Sequence, residues 1–307
     1  MTEGISRRRL LQAGLAAGAL LPLAGPLHAA TQAPIRKKIP SSGEEIAVIG
    51  VGTSRTFNVA PENAADSALL PVMKAFFEHG GQLIDSSPMY GSAEAVTGAL
   101  LAELGRPTGL FSATKVWTYG KDEGIAQMER SMARLGVDRI DLMQVHNLRD
   151  WEIQLETLRE WKASGRIRYL GITTSHGRFH GEFETIMQRE ALDFVQFSYN
   201  IDDRAAEQRL LPIAREQGIA TLINRPYQRG SLFRKVKGRP LPDWAAEIDC
   251  SSWGQYFLKF IVSHPDVTCV IPATSKVKHM VDNMGAGFGR LPDAELRERM
   301  AEHLHSL

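Results

Sequence analysis

Along the chain, short apolar runs alternate with longer amphipathic stretches. The runs are 47–51, 82–84, 110–113, 140–145, 169–172, 194–197, 220–223 and 268–271. Each is too short for a helix and apolar enough to be buried on both faces, as parallel strands are. Between them, residues 64–79, 123–135, 151–163 and 205–216 carry helical periodicity, and Gly80, Gly105, Gly136, Gly165 and Gly218 stand near helix ends, where a left-handed cap suits glycine. Eight runs, mostly spaced by about 25 to 35 residues, predict an α/β chain folded as a (β/α)8 TIM barrel. A doubly wound sheet shares this rhythm, but its first turn wants Gly-x-Gly-x-x-Gly. Gly50-Val51-Gly52 lacks the third glycine, and Gly285-Ala286-Gly287-Phe288-Gly289 follows no strand. The barrel is the better match. Residues 225–252 form one longer insertion, expected over the mouth, where barrels bind ligands.

The first 30 residues break the rhythm. Ser6-Arg7-Arg8-Arg9-Leu10-Leu11 leads into Ala, Gly and Leu, and His28-Ala29-Ala30 offers small residues for cleavage. A basic segment, a mildly apolar segment and a small-residue exit describe an export signal, and the consecutive arginines resemble a bacterial twin-arginine signal. Glycine and proline dilute the apolar stretch below the roughly 20 residues of a stable membrane span. The expectation is a signal peptide over residues 1–29, a barrel domain over 30–307, recognition by the twin-arginine export machinery and a periplasmic location.

Charge and cysteine content narrow the partners. The chain has 307 residues, 36 Lys and Arg against 35 Asp and Glu, and two Cys. A net charge of +1 gives no global field for nucleic acid. Two cysteines exclude a disulfide scaffold and a four-thiolate zinc site; Cys250 and Cys269 are expected to be isolated buried thiols.

Chemistry on a barrel belongs at the C-terminal ends of the strands. Read in order, these are Asp85, Lys115, His146, Thr173, Ser198, Asn224 and Pro272, with Tyr90 five residues beyond Asp85. One acidic strand end is too few for two-carboxylate glycoside hydrolysis, and one Asp with one His is thin for a metal, so no metal site is expected. Asp, Tyr, Lys and His make sense together. An ammonium beside a phenol favours the phenolate and lowers its pKa, a carboxylate fixes the ammonium, and an imidazole can orient a carbonyl. Taken singly, each has a structural alternative, such as an Asp capping the next helix.

These residues resemble the aldo-keto reductase family. Val51-Gly52-Thr53 is similar to its opening turn, Asp85-Ser86-Ser87-Pro88-Met89-Tyr90-Gly91 to its Asp-to-Tyr motif, and Ala113-Thr114-Lys115 to its lysine strand. Ser131 through His146, Gly165 through Gly171 and Val195-Gln196 follow in family order. The resemblance implies that Tyr90 is the general acid, Lys115 its partner, Asp85 the carboxylate holding Lys115, and His146 the residue that orients a small carbonyl substrate. It also implies a nicotinamide dinucleotide across the mouth, NADP(H) rather than NAD(H). The expected cofactor residues are Thr53, Thr173, Thr174, Gln196, Asn224, Arg225, Pro226, Tyr227 and Gly230, then Thr274, Ser275, Lys276, His279 and Asn283. Thr173-Thr174 replaces the usual Ser-Asn, and Asn224 stands where an aromatic residue often stacks on the nicotinamide, which leaves Tyr227 or Trp117 for that role. Thr274, Ser275 and Lys276 are expected to open a helix whose free N–H groups suit a phosphate. A non-catalytic nucleotide-binding subunit is the alternative, which the full tetrad argues against.

Overall fold

In the computed structural model, which describes Met1 and residues 33–307, the strands are built around both-face burial. A short hairpin comes first, β1 (Arg36–Lys38) and β2 (Glu45–Ala47), paired antiparallel. Eight parallel strands follow: β3 (Val51–Gly52), β4 (Leu83–Asp85), β5 (Phe111–Val116), β6 (Ile140–His146), β7 (Ile167–Thr173), β8 (Phe194–Ser198), β9 (Ala220–Asn224) and β10 (Cys269–Val270). Each pairs with its neighbour in sequence, and an Ile49–Val270 bridge joins the last to the first. Gly50 N donates to Val270 O at 2.9 Å, and Val270 N to Val48 O at 2.9 Å, so the sheet closes. The result is the expected (β/α)8 barrel. The expected signal segment, residues 1–29, lies outside the described residues apart from Met1; among the described residues no helix is long and apolar enough to cross a membrane.

Strand side chains alternate between two cores. Leu83, Phe111, Leu142, Tyr169, Phe194, Leu222 and Cys269 point inward and pack as one buried cluster, closed at the floor by Ile39 and Ile46 from the hairpin region. The other face of each strand packs against the helices. Two residues up each strand, the inward set turns polar: Asp85, Gln144 and Gln196 stand above Leu83, Leu142 and Phe194, and Lys115 stands four residues above Phe111. Apolar below and polar above puts the titratable strand residues at one end of the barrel. At Gly171, an added Cβ would sit 2.4 Å from the Phe194 carbonyl oxygen, so only glycine lets β7 and β8 approach as they do.

The element boundaries depart from the expected runs in instructive ways. The run 47–51 is split between β2 and β3, because Ala47 belongs to the hairpin. The helix expected over 64–79 is regular only at α1 (Leu69–Glu78), and the stretch 205–216 breaks into a 3-10 turn and a helix over Leu210–Gln217. The pattern 151–163 is a helix at those bounds, and Gly136 and Gly218 cap their helices in the left-handed conformation. The insertion 225–252 folds as short helical turns, with one helix of five residues over Ser231–Lys235.

Candidate active site

Asp85 ends β4, and its carboxylate is satisfied on both oxygens. Oδ2 accepts from Lys115 Nζ at 2.7 Å, and Oδ1 accepts from Gln144 Nε2 at 3.1 Å and Gln196 Nε2 at 3.0 Å. It therefore holds neighbouring strands together and caps no helix. Lys115, fully buried on β5, also donates to Ser86 O at 2.6 Å. Burial works against its charge, but Asp85 and then Tyr90 overcome that and raise its pKa, so it stays an ammonium.

Tyr90 lies in the loop after β4. Its backbone N donates to Ser87 O at 3.0 Å, and the next residue, Gly91, turns at a φ of 64°. Asn58 anchors the turn, accepting from Ser92 N at 3.1 Å and Ser92 Oγ at 3.0 Å. The Lys115 Nζ lies 5.1 Å from the centre of the Tyr90 ring, and the His146 ring stands perpendicular to it at 5.8 Å. Lys115 does pull the phenol pKa down, as the sequence suggests. Burial outweighs it, helped by Asp85, and the net direction is up. The phenol keeps its proton in the free protein.

His146 ends β6 and is buried. Its pKa is lowered to about 2, first by burial and then by the cations Lys115, Arg178 and Arg149, so the imidazole is neutral. Its Nδ1 meets Ser87 Oγ at 3.0 Å. That hydroxyl already accepts from Met89 N at 3.2 Å, which leaves its own hydrogen free for Nδ1. With Ser87 as donor the neutral ring carries its proton on Nε2, which has no protein partner among the described residues.

A cavity of about 740 Å³ opens over this group. Asp85, Tyr90, His146, Thr53, Thr173, Thr174, Gln196, Asn224, Arg225, Pro226, Tyr227 and Gly230 all line it, with Lys115 buried beneath. Several lining groups are already engaged. The Gln196 side-chain oxygen accepts from Thr173 Oγ1 at 3.1 Å, and Thr174 Oγ1 donates to Arg178 O at 2.7 Å. Asn224 accepts from Ser198 at 2.7 Å and donates to Thr174 O at 2.9 Å. Tyr227 packs on Phe233 with its hydroxyl on Asn283 Oδ1 at 2.6 Å, whereas Trp117 lies 6.5 Å from the His146 ring and is not on the cavity wall.

The five C-terminal residues of the expected cofactor set lie elsewhere. Thr274, Ser275, Lys276, His279 and Asn283 are outside the cavity, and Asn283 reaches it only through Tyr227. The helix there spans Val277–Gly285 with Lys276 at its N-cap, so Thr274 and Ser275 precede it; Thr274 Oγ1 accepts from Lys276 N at 3.1 Å. Cys250 and Cys269 are buried free thiols, pushed by burial to about 11 and about 12. Among the described residues no three His, Cys, Asp or Glu side chains converge as a metal site would need.

Sequence reasoning missed Gln144, the contact of Ser87 and two arginines, Arg55 and Arg178, which line the cavity beside Arg225 and Arg229. Gln144 was findable: two residues before His146 on one strand, it must share that side chain's face. The arginines sit on loops, where no periodicity applies.

A sequence profile of the Aldo/keto reductase family matches residues 48–302. The aldo-keto reductase str7 of Strobilurus tenacellus is 25% identical over 292 residues, covering 82% of this chain and 87% of that protein. The methylglyoxal reductase YeaE of Escherichia coli (strain K12) is 27% identical over 267 residues, covering 85% and 93%. Among solved structures, an aldo/keto reductase from Klebsiella pneumoniae in complex with NADPH superposes with a TM-score of 0.72 at 22% identity, over 89% of this chain and 95% of that one. With a profile spanning nearly all of the barrel laid over the closed eight-stranded fold, the chain belongs to the aldo/keto reductase family and is an oxidoreductase.

Proposed function

We propose that this protein reduces an aldehyde or ketone to an alcohol with NADPH, and that Tyr90 supplies the proton. The observation that carries the reading is the juxtaposition of a protonated Tyr90 and a neutral His146 on one cavity wall with a charged Lys115 buried beneath, its Nζ 5.1 Å from the Tyr90 ring centre. The donor set suits a polyanionic dinucleotide: Arg225, Arg229 and the Gly230 turn line the cavity, and no carboxylate among the described residues pairs with either arginine. Thr53, Thr173, Thr174, Gln196, Asn224, Pro226 and Tyr227 also line it, and in this reading Lys276 and His279, just outside that wall, take a phosphate at the far end. The Klebsiella protein holding NADPH and the Escherichia coli protein named a methylglyoxal reductase support the same reading. When bound, the reduced nicotinamide supplies the hydride.

The chain's own residues do the rest. His146 Nε2–H donates to the carbonyl oxygen and aligns it with the Tyr90 hydroxyl. As negative charge grows on that oxygen, Tyr90 gives it a proton. The phenolate left behind is stabilised by the Lys115 ammonium, which Asp85 holds in place. Asp85 itself takes no proton in this scheme; its two oxygens are occupied. Tyr90→Phe removes only the transferable proton. Its kcat should fall by about a hundred- to ten-thousand-fold while the NADPH dissociation constant moves by less than about threefold. Unaltered turnover would refute the assignment, and a wild-type protein that binds NADPH but reduces no carbonyl would favour a nucleotide-binding subunit.

The export reading rests on sequence alone: Ser6-Arg7-Arg8-Arg9-Leu10-Leu11, the mildly apolar stretch after it and the small residues at His28-Ala29-Ala30. A C-terminally tagged full-length chain should appear, shortened, in the periplasmic fraction, and Arg7→Lys with Arg8→Lys should keep it in the cytoplasm at full length. Equal distribution of both would sink this part of the reading.

A further inference from the structure

The cavity holds more positive charge than the proposed cofactor uses. Four guanidinium groups line it, from Arg55, Arg178, Arg225 and Arg229. The one lining carboxylate, Asp85, is taken by Lys115, Gln144 and Gln196. Among the described residues none of the four arginines is ion-paired, whereas ten arginines elsewhere on the barrel each hold a carboxylate. Three of the four, Arg55, Arg225 and Arg229, are held at positive φ, between 54° and 67°, a conformation that favours glycine. They are also near enough to one another that Arg55, Arg178 and Arg229 each disfavour the charge on Arg225, which burial already opposes; Asp203 is the only carboxylate that offsets them. Gathering like charges in a cavity is costly unless an anion is to fill it.

NADPH brings two negative charges on its pyrophosphate, which Arg225 and Arg229 match, and a 2′-phosphate, which the proposed function gives to Lys276 and His279 outside the cavity wall. Arg55 and Arg178 remain. Arg178 is on the loop that follows β7, and with Arg149 it is one of the two arginines whose field reaches His146. Arg149 lies 4.1 Å from the centre of the Trp117 ring, and Trp117 is, with Tyr90, an aromatic neighbour of His146. Positive potential therefore extends from the pyrophosphate side to the place where a carbonyl would react.

Resting on the carbonyl-reductase reading above, we propose that the preferred substrate carries its own carboxylate or phosphate, which Arg178 and Arg55 bind while Tyr90 and His146 hold the carbonyl oxygen. The reaction is the balanced two-electron reduction already described, with the anionic group unchanged.

Two pairs of compounds test this: succinic semialdehyde against butanal, and glyceraldehyde 3-phosphate against glyceraldehyde. With purified full-length protein and NADPH, the charged member of at least one pair should show a kcat/KM about tenfold higher or more, and which pair does so tells carboxylate from phosphate. In Arg178→Gln that ratio should fall to within about threefold of one, because the contact it removes is made only to the charged member. A ratio near one in both pairs for the wild type, or a ratio that survives Arg178→Gln, overturns the proposal. If no compound is reduced, the reductase reading has failed, and binding still decides the present one. Succinate but not butyramide, or glycerol 3-phosphate but not glycerol, should then raise the melting temperature of the NADP-saturated wild type and not of Arg178→Gln; no such difference in either pair overturns it.

A separate observation concerns Ser87. We infer that Ser87 is a positioning residue that fixes the His146 tautomer: its hydroxyl, already accepting from Met89 N, donates to Nδ1 and so leaves the proton on Nε2. Nitrogen-15 spectra of His146 should show the Nε2–H form in the wild type and in Ser87→Thr, and a mixture in Ser87→Ala. In Ser87→Ala, kcat should fall about tenfold, and Ser87→Thr should restore it. An unchanged tautomer, or an unchanged kcat, in Ser87→Ala overturns the assignment.

Discussion

Replacing Lys115 by Met separates the structural role of the buried ion pair from its chemical one. Lys115 and Asp85 have side chains 0% and 2% exposed, with Nζ and Oδ2 2.7 Å apart. Without the ammonium, the carboxylate keeps only the amides of Gln144 and Gln196, both on Oδ1. A buried charge stripped of its partner costs about 3–5 kcal/mol. For a domain of this size that lowers the melting temperature by roughly 10 °C. Adding Asp85→Asn in the same chain removes the stranded charge, while the new side-chain oxygen still accepts from both glutamines. The double variant should recover more than half of the loss, about 2 kcal/mol or more. Its activity should not return, because nothing stabilises the Tyr90 phenolate; kcat should stay about a hundred- to ten-thousand-fold down in both variants. Urea and thermal melts give the first quantity, and NADPH consumption with a reducible aldehyde gives the second. A Lys115→Met protein that melts with the wild type, or a double variant that regains turnover along with stability, would refute this account of the pair.

Two further outcomes follow from single contacts. Unfolded histidine takes up its proton near 6.5 and folded His146 only near about 2, so between those values the unfolded chain binds the extra proton and stability falls as pH falls. From about pH 7 to pH 5 the loss from this residue is about 2 kcal/mol, and urea midpoints at the two pH values should show His146→Gln less sensitive by that amount; equal slopes would contradict it. Gly171→Ala should destabilise the barrel by about 1–3 kcal/mol, because its methyl meets the Phe194 carbonyl oxygen 2.4 Å away; an unshifted melt would mean that β7 and β8 can separate without loss.

Local pattern favoured the barrel and picked out the polar residues at its strand ends. Strands buried on both faces must read as short apolar runs, and helices between them must show their own period, so the alternation is written in neighbouring residues. The last inward residue of a parallel strand also faces the mouth whatever its neighbours do, which is why Asp85, Lys115 and His146 were legible one strand at a time, with Tyr90 in the loop just beyond. Left-handed helix ends at Gly136 and Gly218 were legible for the same local reason.

Only closure of the sheet decided the rest. Gln144 and Gln196 reach Asp85 from 59 and 111 residues away, a convergence that no periodicity encodes. Ser87 finds His146, and four loop arginines share one cavity, because separate loops end at one rim. The hairpin that seals the floor took Ala47 from the first apolar run, since its pairing with Arg36 competes with extension of β3. The helix expected to open at Thr274 starts only at Val277, with Lys276 at its N-cap, and of this segment the cavity wall includes Ala273 but not Thr274, Ser275, Lys276 or His279. Even the direction of the Tyr90 shift needed the fold. The sequence shows which cation lies near the phenol, but burial, a property of everything packed around it, is the larger effect.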